Sequence, residues 1–250
     1  MVKLKREKKP TILIEKEKEW TEDLLKLVKQ YGSYSDIPKE IRDKAIKYYR
    51  HEDIKLTLFK SSNNKCAFCE SIPEEGGSFI AIEHFYPKSI YPESTFEWNN
   101  LLPICNKCNL DKLDYDTKKN EVINPYLDDP EEMLEFISIR LKEKDDLKNK
   151  IKSKNTIREY SLNRIALLNM RSQILCSLAN FEERLEVKLE EVMEEEGRKK
   201  INRTKELRGI LDEIQIIADV KKTNYFFIRD YLKKSEIFQR VQEYIKNLNI

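Results

Sequence analysis

Residues 66–112 decide how this chain is read: Cys66-Ala67-Phe68-Cys69, then Ile82-Glu83-His84-Phe85, then Asn99-Asn100-Leu101-Leu102-Pro103-Ile104-Cys105, running on through Asn106-Lys107-Cys108-Asn109 to Leu110-Asp111-Lys112. Two Cys-x-x-Cys pairs frame an acid–histidine pair and Asn100, and Asn109 follows the second pair at once. A Cys-x-x-Cys turn offers two thiolates at one corner of a tetrahedron, so Cys66, Cys69, Cys105 and Cys108 together predict a four-cysteine zinc site. Four thiolates leave no open position, which makes that Zn²⁺ a folding element rather than a catalyst. A redox dithiol or two unrelated pairs are the alternatives, and the doubled spacing favours zinc.

The remaining composition bounds the setting. The 250 residues are 40% hydrophobic and 37% charged, with 5 Gly and 8 Pro, a balance suited to long helices with few turns. Mean hydropathy is −0.69. No apolar run nears the ~20 residues that span a bilayer, and Ile12-Leu13-Ile14 is too short for a signal-peptide core. A cytoplasmic protein without membrane contact is expected, in a compartment where paired cysteines favour metal over disulfides. Cys176, among Ile174, Leu175 and Leu178, is expected to be a buried apolar filler.

Charge is unevenly spread. Residues 1–50 hold 14 Lys/Arg against 9 Asp/Glu, whereas residues 51–150 hold 13 against 20, a net of −7. A free-standing nucleic-acid binder normally shows a basic footprint, so the acidic motif region suggests that something else holds its substrate. Lys3 to Lys9 suits either a nucleic-acid arm or a frayed terminus.

The fold class expected is mainly α with a small α+β insert. Leu24, Leu25, Leu27 and Val28 predict a helix over Trp20–Gln30 ended by Gly32, and a second from Pro38 towards Phe59. Ser78–Glu83 and Leu101–Ile104 read as strands, and Cys108–Leu113 as the start of a helix. Pro130 opens an acidic helix start. From roughly 160 to 196, Ile174, Leu178, Phe181, Leu185, Leu189 and Val192 mark one long amphipathic helix. Further helices follow over Leu207–Ile217 and Ile237–Leu248. The implied domains are an N-terminal helical segment, 1–60, a zinc-stapled module, 61–125, and a helical domain, 126–250.

Chemistry centres on His84, since His51 sits in a charged, solvated stretch. Phosphodiester hydrolysis needs a base for water and a cation for developing charge. A near-neutral imidazole suits the first role. Glu83 and Asn109 offer the hard oxygens that Mg²⁺ or Mn²⁺ prefers.

The order Cys-x-x-Cys, acid-His, Asn-Leu-x-Pro-x-Cys and Cys-Asn-x-x-Lys resembles the HNH endonucleases, whose site is a ββα-metal finger. The resemblance implies that His84 is the general base and that Glu83 and Asn109 hold the catalytic cation. It implies that Asn100 braces the histidine loop and that Lys112 contacts phosphate or stabilises the finger. Two departures stand out: Glu83 replaces the commoner Asp, and Leu113 stands where Gly often follows the lysine. More narrowly, Ser35-Asp-Ile-Pro-Lys, Ile82-Glu-His-Phe-Tyr-Pro-Lys-Ser, Tyr91-Pro-Glu, Trp98-Asn-Asn-Leu-Leu, Ile123-Asn-Pro, Ser161-Leu-Asn-Arg and Arg229-Asp-Tyr-Leu resemble the HNH effector subunit of Septu and related retron anti-phage systems. That resemblance implies a partner ATPase of ABC/SMC type, for which the helices after residue 160 are the candidate docking surface; the substrate expected is nucleic acid, with DNA favoured over RNA.

Other readings are an RNA nuclease with the same site, a solitary restriction or homing nuclease, and a non-catalytic zinc interaction module. Tyr86, Tyr91, Phe96 and Trp98 suit base stacking or the packing of a small finger equally. Asp111, Asp114 and Asp116 read as a solvated acidic turn in preference to an extra cation site.

Overall fold

Pro10 precedes the first helix, where its fixed φ and missing N–H cost nothing. In this computed structural model, which describes residues 1–73 and 80–248, α1 spans Thr11–Tyr31 and ends at Gly32 with φ +91°. The helix begins earlier than the expected Trp20. Alternating charges over Glu15–Glu19 hide the apolar spacing, yet Leu13, Trp20 and Leu24 all face inward.

The single helix expected from Pro38 towards Phe59 is broken. Helix α2 is Lys39–Ile46, a 3₁₀ turn covers Lys47–Arg50, and α3 is Glu52–Ser61. His51 makes the break: its backbone is extended at φ −53°, ψ 140°, and its Nδ1 accepts the Asp53 N–H at 3.3 Å to cap α3. Such caps satisfy donors that a helix start otherwise leaves unpaired.

Strand β1, Ile80–His84, pairs antiparallel with β2, Leu101–Cys105, in a register that sets His84 opposite Leu101. The expected strand residues Ser78 and Phe79 lie outside the described residues. Helix α4, Asn106–Lys112, follows β2 directly and is capped by Cys105 Sγ, which accepts the Cys108 N–H at 3.4 Å. A short helix α5, Pro130–Met133, leads into β3, Leu134–Ile137, and β4, Arg140–Glu143, a strand pair that the sequence reading did not anticipate, and then α6, Lys150–Glu159.

The chain forms two compact units, Met1–Leu134 with Lys142–Asn163, and Glu135–Leu141 with Arg164–Ile250. In the first, Leu13, Trp20 and Leu24 of α1, Tyr49, Ile54 and Leu58 around α3, and Phe96, Trp98 and Leu101 beside the strands make one core. The N-terminal residues are tied down rather than frayed. Leu4 N–H reaches the Pro125 carbonyl at 2.8 Å, and Arg6 Nη1 donates to the Trp98 and Leu101 carbonyls at 2.7 and 3.1 Å.

The second unit is helical: α7 Ile165–Glu194, α8 Gly197–Ile217, α9 Tyr225–Lys234 and α10 Glu236–Asn247. The long helix starts after the expected position because Ser161, at φ +46°, ends α6 in a turn. Leu185, Leu189 and Val192 of α7 bury against Leu207, Ile210 and Ile214 of α8 and Val241 of α10. Ion pairs Arg184–Glu213 at 2.8 Å, Lys188–Glu206 at 2.7 Å and Arg203–Glu191 at 3.2 Å fix an antiparallel register. Cys176 is exposed, not buried. It lies two residues, about 200° of helical rotation, from the buried Leu178. Among the described residues no helix is long and apolar enough to cross a membrane.

Candidate active site and metal centre

The first cysteine pair sits in a tight turn. Cys66 N–H donates to the Ser71 carbonyl at 2.9 Å, Ala67 N–H to the Pro103 carbonyl at 3.0 Å, and Glu70, at φ +60°, returns its N–H to the Cys66 carbonyl at 3.0 Å. The second pair occupies the β2–α4 junction. All four Sγ atoms are buried and lie within 4.8 Å of one another, with Cys69 and Cys105 3.7 Å apart. A tetrahedron with zinc–sulfur bonds of about 2.3 Å has edges of about 3.8 Å, so the quartet can hold a zinc ion. The Cys105 thiol is drawn down to about 7, foremost by its hydrogen bond with Cys108, whereas burial pushes Cys66 up. Phe68, inside the first turn, stacks on Tyr160 with centroids 3.6 Å apart, which fastens the end of α6 over this corner.

His84 closes β1. Its Nε2 lies 3.0 Å from the Thr95 carbonyl oxygen. A carbonyl only accepts, so Nε2 carries the proton and Nδ1 keeps the lone pair a general base needs. The Tyr49 ring meets the imidazole edge-on at 4.6 Å. Burial holds the imidazole well below its ordinary protonation range, and the Lys88 ammonium pushes it further down.

Glu83 is buried, with Oε1 on Lys112 Nζ; the same ammonium donates to the His84 and Phe85 carbonyls at 2.8 and 3.2 Å. Burial pushes the Glu83 carboxyl up, and Lys112 opposes it. Lys112 thus ties α4 to the end of β1 and is almost wholly enclosed. Asn100 is buried as well. Its Oδ1 accepts the Tyr86 N–H at 2.7 Å, and its Nδ2 donates to the Tyr86 and Ser94 carbonyls at 3.1 and 2.9 Å.

One cleft of about 180 Å³ is lined by Tyr49, Glu83, His84, Lys88, Asn109 and Asp114. A neighbouring one of about 370 Å³ shares Tyr49, Ile82 and Asn109, and adds Arg50, Lys55 and Asn106. Glu83, His84 and Asn109 therefore come together, while Asn100 and Lys112 lie behind them. The Asn109 side chain makes no hydrogen bond among the described residues, which leaves its amide oxygen available to a hard cation beside Glu83. Among the described residues the cysteine quartet is the only group of three or more His, Cys, Asp or Glu close enough to hold an ion.

The sequence reading missed Tyr49, Arg50, Lys55 and Lys88, because the break at His51 that brings the first three to the neighbouring cleft has no periodicity signal. The sequence sets Asp114 beside Asp111 and Asp116, but those two are engaged away from the cleft. Lys107 pairs with Asp111 at 2.5 Å, and Tyr91 O–H donates to Asp116 at 3.0 Å. Phe96 and Trp98 are core residues, and His51 is partly exposed.

Fold and site together define a small β–β–α unit with a zinc-ready cysteine corner and a buried histidine facing a polar cleft. No family model matches the chain. It is 34% identical over 165 residues to Septu protein PtuB of Bacillus thuringiensis, covering 66% of this chain and 56% of that protein. It is 33% identical over 157 residues to Septu protein PtuB of Bacillus mycoides strain KBAB4, covering 50% of this chain and 52% of that one. A third relative, Protein ea31 of Escherichia phage lambda, is 38% identical over 74 residues, 28% of this chain and 24% of that protein. The chain spans about half the length of the two Septu proteins it matches.

Proposed function

We propose that this chain is a metal-dependent HNH-type endonuclease that hydrolyses phosphodiester bonds of nucleic acid, DNA in preference to RNA, as the effector of an anti-phage defence complex with a partner ATPase. The observation that carries the reading is the convergence of His84, Glu83 and Asn109 on one cleft. Similarity to two Septu proteins supports the defence setting.

In this reading Nδ1 of His84 takes a proton from the attacking water, since Nε2 is committed to Thr95. Asn100 holds the chain after His84 in place, and Lys112 positions both Glu83 and the strand end. Glu83 and Asn109 would hold Mg²⁺ or Mn²⁺, which neutralises charge on the phosphate and the leaving oxygen. The cysteine quartet would hold Zn²⁺ and keep the two ends of the finger together.

The test is cleavage of supercoiled DNA, single-stranded DNA and total RNA with Mg²⁺ or Mn²⁺, by wild type and His84→Ala, with and without the partner ATPase. Cleavage lost in His84→Ala supports the reading, and the substrate consumed decides DNA against RNA. No metal-dependent cleavage with the partner present moves the reading to a zinc-held interaction module.

A further inference from the structure

The 51–150 stretch carries a net charge of −7, yet both clefts carry cations: Lys88 lines the His84 cleft, and Arg50 and Lys55 line its neighbour, with Tyr49, Ile82 and Asn109 common to the two. Arg50 is exposed on the 3₁₀ turn after α2, and Lys55 lies one turn into α3. Lys88 sits four residues past His84. Tyr49 organises two of them: its O–H accepts Arg50 Nε at 3.0 Å, its ring has the Arg50 guanidinium at 5.3 Å and Lys88 Nζ at 5.8 Å, and the ring meets the His84 imidazole edge-on.

Several cations of the same unit are paired, Lys107 with Asp111, Lys112 with Glu83, Lys119 with Asp116 and Lys152 with Asp128, and others such as Lys39, Lys44 and Lys47 stand on helix surfaces away from either cleft lining. Among the described residues Arg50, Lys55 and Lys88 form no ion pair with a carboxylate. Acidic groups near them are few. Glu83 is taken by Lys112, Asp114 lines the cleft, and Asp43 acts on Arg50 from a distance. Unpaired cations around a concave wall concentrate positive potential there. A planar guanidinium and two ammonium groups are the donors that phosphate oxygens select.

We propose that Arg50, Lys55 and Lys88 form a clamp for the phosphodiester backbone across the His84 cleft and the cleft adjoining it, with Tyr49 holding Arg50 and Lys88 in place. The clamp rests on the nuclease reading. It places part of the substrate grip in this chain, where its net charge points to a partner. These contacts position the strand and carry no sequence preference.

The experiment measures binding of 30-base-pair duplexes of DNA and of RNA by His84→Ala, across 50 to 200 mM salt. The same is done after adding Arg50→Gln, Lys55→Gln and Lys88→Gln. A control instead adds Lys16→Gln, Lys18→Gln and Lys26→Gln, the same charge change on α1. With about 0.9 of slope per phosphate contact, the clamp variant loses roughly two to three from the dependence of log affinity on log salt, and binds about tenfold or more weakly at 100 mM salt. The α1 control stays near the parent. Loss on either duplex supports the clamp and identifies its polymer. Equal slopes in clamp and control variants, or no binding by the parent, overturn it. In the intact site the clamp substitutions raise KM. Clamp-dependent binding without cleavage by wild type discards the nuclease reading and keeps the site. Cleavage that ignores the clamp substitutions does the reverse.

Discussion

The Nε2 of His84 and the carbonyl oxygen of Thr95, two buried residues, stand 3.0 Å apart. That one contact fixes the tautomer. The neutral ring must carry its hydrogen on Nε2, and ¹⁵N-detected imidazole spectra at pH 7 are expected to show Nδ1 unprotonated. A ring protonated on Nδ1 contradicts the general-base role. Burial, followed by Lys88, also lowers its proton affinity. The unfolded imidazole, near 6.5, then accepts a proton that the folded one refuses. Stability is accordingly full above about pH 6.5 and falls as pH drops, by at most about 1.4 kcal/mol per unit, until the folded ring protonates. Urea melts from pH 7.5 to 5 should show a shallower fall for His84→Asn than for wild type.

Asn100 is a structural brace by its contacts: three hydrogen bonds, two of them a reciprocal pair with the Tyr86 backbone. Asn100→Ala leaves the half-buried carbonyls of Tyr86 and Ser94 and the Tyr86 N–H without their side-chain partner, at a cost of about 2 kcal/mol. Denaturant midpoints measure that loss. Cleavage per folded molecule is expected to drop too, because the loop it holds begins at His84. An Asn100→Ala protein of unchanged stability would exclude the brace.

Metal removal is expected to act on one unit only. The cysteine quartet binds the turn after α3 to the β2–α4 junction, so a strong chelator or Cys108→Ser should expose the amides of β1 and β2 to hydrogen exchange. Amides in α7 and α8, whose core of Leu185, Leu189, Leu207 and Ile214 contains no metal ligand, should keep their protection. One bound zinc per chain is the expected stoichiometry. Unchanged protection in β1 and β2 after cysteine replacement would remove the zinc from the account.

The sequence already carried the parts whose signals are local. Cys-x-x-Cys spacing located the quartet, and steps of three and four located α7. The run of apolar residues from Leu101 placed β2. Three-dimensional features were less legible. The helix break at His51 depends on a histidine used as a cap, a role outside the usual Ser, Thr, Asp and Asn. Cys176 reads as apolar by its neighbours, but burial depends on angle around the helix rather than on adjacency. Arg50 and Lys88 are far apart in sequence, and Tyr49 brings them together only after folding. Lys112 could be flagged by motif, but its enclosure between Glu83 and two carbonyls had to be seen.

Leu113 gives a prediction in which sequence and backbone agree. It follows Lys112 at the end of α4 with φ +48°, ψ −130°, a conformation that costs an L-residue with a Cβ on the order of 1–3 kcal/mol. Its side chain is 69% exposed, so little burial offsets that strain. It is also the position where the resembling family often has Gly. Leu113→Gly relieves the strain but widens the unfolded ensemble, which returns roughly 1 kcal/mol of the gain. The net expectation is a stabilisation of about 1 kcal/mol, read as a higher denaturant midpoint with an unchanged slope. Leu113→Ala retains the Cβ and should give no gain. If both variants behave alike, the strain is not stored at this residue.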